Sequence, residues 1–91
     1  VNLALESLAR SLALELKPRR VNVISPGLVD SPTWAFLRDA DRQAMFAATA
    51  KALPVGRIGQ VDDLAHAALA LLENGYITGA VLHVDGGGRF A

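Results

Sequence analysis

The sequence predicts an α/β fold with parallel strands, and three observations carry that prediction. Two short apolar runs, 21–25, which is rich in β-branched residues, and 80–84, each close on a glycine turn. Segments with apolar residues three and four apart flank and separate them, the period of helices. The connection between the runs is long and largely helical, which fits a right-handed crossover between parallel neighbours.

Residues 1–17 open the chain with Val1, Leu5, Leu8, Leu12 and Leu16 on one stripe. Leu3, Ala13 and Leu14 form a second row, so this helix is expected to be buried on more than one side. Glu6 and Arg10 make an i,i+4 pair on what remains. No capping residue precedes Val1, so the helix is expected to be cut open there, and Pro18 ends it. Val21, Asn22, Val23, Ile24 and Ser25 then read as a buried strand that stops at Pro26-Gly27. Residues 31–53 are an insertion, irregular around Pro32 and helical over about 41–52, which holds Trp34, Phe36 and Phe46. After the loop marked by Pro54, Gly56 and Gly59, Leu64, Ala68, Leu71 and Leu72 trace another helix. Asp62 and Asp63 suit its positive end, and Asn74-Gly75 stops it. The strand over 80–84 runs into Asp85-Gly86-Gly87-Gly88.

A chain of 91 residues permits one domain at most, yet 52% of it is hydrophobic and 20% charged. That is more apolar surface than so small a core covers, and it points to partners. Two strands leave an edge of unpaired backbone groups, and more sheet is expected beside the first. Nine basic residues balance nine acidic ones, so no global field favours nucleic acid or an anionic membrane. The chain has no cysteine, which excludes disulfides and thiolate metal sites and is compatible with a reducing cytoplasm. No apolar run approaches the roughly 20 residues that span a bilayer. A soluble, cytoplasmic protein is the expectation.

The segment Pro26-Gly27-Leu28-Val29-Asp30-Ser31-Pro32 lies beyond the carboxyl end of a strand, where open α/β sheets bind ligands. Gly27 permits close approach to a flat ring, the following amides and carbonyls can pair with a carboxamide, and a hydroxyl can reach a phosphate. A plain turn is the alternative at this point. Asp62 and His66 have a spacing compatible with metal ligation, but without a third ligand an exposed polar face is the preferred reading; His83 and Asp85 alternate on a strand and could also ligate, but a strand-end histidine hydrogen-bonded locally is preferred, and no metal is expected. Arg19 and Arg20 fit either a phosphate contact or a solvated corner.

Taken together, four segments resemble the short-chain dehydrogenase/reductase family in its own order. They are the helix over residues 1–16, Arg20-Val21-Asn22-Val23-Ile24-Ser25-Pro26-Gly27-Leu28-Val29, then Pro54-Val55-Gly56-Arg57-Ile58-Gly59 with the helix after it, and Ile77-Thr78-Gly79-Ala80-Val81-Leu82-His83-Val84-Asp85-Gly86-Gly87. The resemblance implies that residues 1–91 are the C-terminal part of one doubly wound, parallel-sheet Rossmann-like domain, with residues 31–53 as its substrate lid. It implies cofactor contacts, with NAD or NADP, at Pro26, Gly27, Leu28, Val29 and Ser31. Val29 takes the place of the residue whose backbone holds the nicotinamide carboxamide, and Ser31 stands where the family usually has Thr. Trp34, Phe36 and Leu37 fall in the lid; a packed surface helix is the other reading of those three.

Two departures stand out. Val61 replaces the Pro that commonly begins the helix after Gly59, a small structural loss. The family's Tyr and Lys, four residues apart, are absent: Tyr76 is the only tyrosine, Ala80 follows it at that spacing, and the register puts the Lys about three residues before Val1. No catalytic residue is assigned here, and the span alone is expected to be inactive. The intact parent is expected to be an oxidoreductase moving a hydride between NAD(P) and a small carbonyl or alcohol, as a homodimer or homotetramer. The alternative is a non-catalytic oligomerisation module of the same fold.

Overall fold

A computed structural model describes residues 2–91. The elements run α1 (Asn2–Glu15), β1 (Val23–Pro26), β2 (Val29–Asp30), a 3-10 turn (Pro32–Phe36), α2 (Asp39–Ala52), β3 (Gly59–Gln60), α3 (Val61–Glu73), β4 (Val81–Val84) and a closing 3-10 turn (Gly88–Phe90). The expected opening of this first helix at Val1 lies outside the described residues.

β1 and β4 pair in parallel, Val23 opposite Val81 through to Pro26 opposite Val84. Such a pair is only about 5 Å across, and a helix is about 10 Å wide. α1 and α3, which both pack on the pair, therefore take one face each. This is the layering of a doubly wound sheet, with β1 and β4 as two of its strands.

Periodicity found α1 but not its packed face. Ala9 is fully buried, with Leu5, Leu12 and Ala13 half-buried around it, whereas Leu3, Leu8, Leu14 and Leu16 are exposed. The buried set has i, i+4, i+7 and i+8 spacing, and a small residue at its centre lets the helix come close to the sheet. On α3, Leu64, Ala68 and Leu71 are half-buried as the stripe predicts, but Leu72 is 72% exposed. Among the described residues only Ala9, Val29 and Phe46 are buried hydrophobics. The apolar surplus lies on the surface. The radius of gyration is 15.4 Å, against roughly 12 Å for a compact domain of this length.

Arg20 joins the layers. Its guanidinium donates to the carbonyls of Leu71 at 2.7 Å and Leu72 at 2.9 Å, acceptors that α3 leaves open at its C-terminus, and to that of Ile77 in the following turn at 3.2 Å. The fork is a helix cap, which replaces both sequence readings of that residue. Asn22 ties the same turn to β1, donating to the Ile77 carbonyl and accepting from the Ala80 amide, each at 3.0 Å. No helix among the described residues is long and apolar enough to cross a membrane.

Candidate functional site

The loop after β1 is seated on the end of β4. Its Gly27 amide donates to the Val84 carbonyl at 3.0 Å, and a Cβ on Gly27 would lie 2.8 Å from the Asp85 Cα. Glycine at 27 thus has a packing reason that the sequence does not reveal, since Asp85 is distant along the chain.

Beyond Gly27, β2 and β3 form a two-residue parallel ladder, Val29 opposite Gly59 and Asp30 opposite Gln60. The Gly59 amide donates to the Leu28 carbonyl at 2.9 Å. A trans peptide sends its C=O and N–H in opposite directions, so the Val29 N–H faces away from β3. Parallel ladders alternate the edge used by successive residues, and the Val29 carbonyl faces outward as well. There it accepts the indole N–H of Trp34 at 3.1 Å. Val29 therefore presents one donor and one acceptor on the same edge while its side chain is buried.

Ser31 leads into the 3-10 turn in extended conformation, and its carbonyl accepts the Trp34 amide at 3.1 Å. Its hydroxyl makes no capping bond to that turn. A cavity of about 390 Å³ adjoins it, lined by Asp30, Ser31, Pro32, Arg42, Gln43 and Phe46 among others. Arg42 and Gln43 carry no signal in the sequence; α2 brings them to the cavity. Leu28 faces elsewhere, into a cavity of about 380 Å³ at the end of β4 that also meets Val55, Arg57 and Asp85.

The insertion is more regular than its composition indicates. Pro32 starts the 3-10 turn, and α2 begins at Asp39, with Asp39 and Asp41 in its first turn and Phe46 anchoring it. Trp34 and Leu37 are half-buried, while Phe36 is 76% exposed. The Trp34 and Phe36 rings are 6.2 Å apart and tilted by 33°. The three do not form one closed apolar cluster.

Ion pairs brace the loop that backs β2. Arg57 donates to both carboxylate oxygens of Asp63, at 2.9 and 3.0 Å, and the Gln60 amide donates to Asp63 at 2.7 Å. The Arg57 hydrogen bond and then the Gln60 amide hold the Asp63 carboxyl well below the usual carboxylate range, and Asp63 raises Arg57 in turn. This reciprocal bond to the Gln60 amide is half of a capping box, which supports α3 where Val61 departs from Pro. At the end of β4, burial pushes Asp85 up. The Gly87 amide and Arg89 outweigh that effect, and the carboxyl ends below its ordinary value. Among the described residues no three His, Asp or Glu side chains gather as a metal site. Tyr76 is 99% exposed.

A family model described as enoyl-(acyl carrier protein) reductase matches residues 2–88. Carbonyl reductase family member 4 of Danio rerio is 42% identical over 85 residues, which are 91% of this chain and 33% of that protein. The 3-oxoacyl-(acyl-carrier-protein) reductase of Rattus norvegicus is 42% identical over 81 residues, 87% of this chain and 31% of that protein. A crystal structure of a small-chain dehydrogenase in complex with NADPH superposes with a TM-score of 0.91 at 43% identity, over 99% of this chain and 41% of that one. The chain thus spans about a third of the length of the curated relatives it matches. Parallel strands layered between helices, the outward edge after β1 and matches along nearly the whole chain agree, and the protein belongs to the short-chain dehydrogenase/reductase family.

Proposed function

We propose that the protein is an NAD(P)-dependent oxidoreductase acting on a small carbonyl or alcohol, and that this span holds the nicotinamide end of the cofactor and closes over the substrate. The observation that carries the reading is the outward edge of Val29, whose N–H and C=O face away from β3. A carboxamide offers one carbonyl acceptor and an amine donor, the complement of that edge, so the residues fit the group. The Ser31 hydroxyl, which makes no cap bond, stands two residues on for a further polar contact. The cofactor supplies hydride chemistry when bound. Pro26 and Gly27 set the turn, Leu28 and Val29 fix the edge, and Trp34, Phe36 and Leu37 exclude water over the substrate. Proton transfer is assigned to the rest of the domain, so the span alone has no activity. A solved relative holds NADPH, which makes NADPH the first cofactor to test. The working compartment we assign is the cytoplasm.

Assembly into a homodimer or homotetramer is a second reading, because the exposed leucines at 3, 14, 69, 72 and 82 offer apolar surface to other copies as well as to the rest of the domain. Light scattering on the whole protein tests it: a discrete oligomer is expected, and a monomer overturns it. The principal reading is tested by titrating the whole protein with NADPH and NADH in a calorimeter. Saturable binding of at least one is expected, and the Ser31→Ala protein should bind it roughly threefold to tenfold more weakly, the worth of one net hydrogen bond. Binding of neither overturns the reading.

A further inference from the structure

Trp34 is the single tryptophan of the chain, and its polar atom is committed. A lid residue that served only to exclude water would need its ring alone. Here the side chain is half-buried and its indole N–H reaches five residues back, to the Val29 carbonyl at 3.1 Å. Local backbone makes this possible. Ser31 is extended, the Trp34 amide bonds the Ser31 carbonyl and the Leu37 amide bonds the Trp34 carbonyl, each at 3.1 Å. The tight turn folds the indole back onto β2.

The oxygen it meets is the acceptor that the nicotinamide reading gives to the cofactor carboxamide. Two donors address one atom. A carbonyl has two lone pairs, but a carboxamide that pairs with both the N–H and the C=O of Val29 must lie along the outer edge of β2, the side from which the indole approaches. We propose that the Trp34 indole N–H holds the Val29 carbonyl in the cofactor-free protein and yields it to the carboxamide when the nicotinamide binds, untying the first turn of the lid. The inference rests on the nicotinamide reading and goes beyond it, because it gives the lid a trigger. One hydrogen bond replaces another at the oxygen, and the indole N–H is freed for solvent or substrate. The turn that carries Trp34, Phe36 and Leu37 is then released when the cofactor is in place.

The Trp34 indole gives a direct probe, identified by the signal that the Trp34→Phe protein lacks. On the isotope-labelled whole protein, the Trp34 indole N–H resonance is followed by NMR during titration with NADPH and with NADH, while calorimetry measures the affinity of the wild-type and Trp34→Phe proteins. Phe keeps an aromatic ring at the site but carries no donor. The indole signal is expected to shift and exchange faster with solvent at saturation. The Trp34→Phe protein is expected to bind the cofactor roughly threefold to tenfold more tightly, because no hydrogen bond has to be displaced. An indole signal unmoved at saturation, or a Trp34→Phe protein that binds equally or more weakly, overturns the exchange while leaving the nicotinamide reading intact. Absence of cofactor binding by the wild-type protein instead overturns the nicotinamide reading, and the exchange with it.

Discussion

Gly27 and Asp85 are in contact closer than any side chain at 27 allows: a Cβ there would lie 2.8 Å from the Asp85 Cα, 2.9 Å from its Cβ and 3.2 Å from its carbonyl oxygen. The turn after β1 rests on the turn after β4, and the position of the Val29 edge depends on that seating.

Gly27→Ala should therefore cost about 1–3 kcal/mol, the usual penalty for overpacking against backbone that cannot rotate away. Gly75→Ala is the control, since nothing lies within 4 Å of a Cβ there. It should change stability by less than about 0.5 kcal/mol, as surface changes do. Urea denaturation of both variants checks the contrast, and equal stabilities would refute the contact.

Arg20→Ala should destabilise by about 1–3 kcal/mol, because three carbonyls lose a charged donor. Arg20→Lys should restore only a minor part, since one ammonium cannot reproduce a planar fork that spans Leu71, Leu72 and Ile77. Thermal unfolding of the pair measures this.

How much of this was legible in the sequence depends on the range of the interaction. The order of helices and long strands, and the parallel pairing of β1 with β4, follow from local periodicity and the length of the connection. The β2–β3 ladder does not, because two-residue strands have no period to read. Nor does the packed face of α1, which is centred on Ala9 and takes Leu5 and Leu12 from one apolar row and Ala13 from the other. At the candidate site, Val29 and Ser31 are legible through the family's residues. The bond from Trp34 to Val29 is not, because an aromatic beside Pro32 looks like apolar lid whatever its N–H does.

Asp63 gives a pH dependence with a definite sign. Its folded-state carboxyl is depressed by Arg57 and the Gln60 amide. The stability it contributes is therefore fully present above the unfolded carboxylate value of about pH 4 and is lost as pH falls from there through the folded value. The Asp63→Asn protein should be less stable at neutral pH and lose less on acidification below about pH 4, as melting temperatures across an acid series will record. Parallel acid profiles for the two proteins would contradict the assignment.

The outward edge of Val29 is most directly tested by amide hydrogen exchange in the whole protein with and without NADPH or NADH. The Val29 N–H faces away from β3, and cofactor binding should slow its exchange by roughly tenfold or more while the Gly59 amide, already bonded to Leu28, changes little. Bound cofactor with Val29 exchange unchanged would contradict the account.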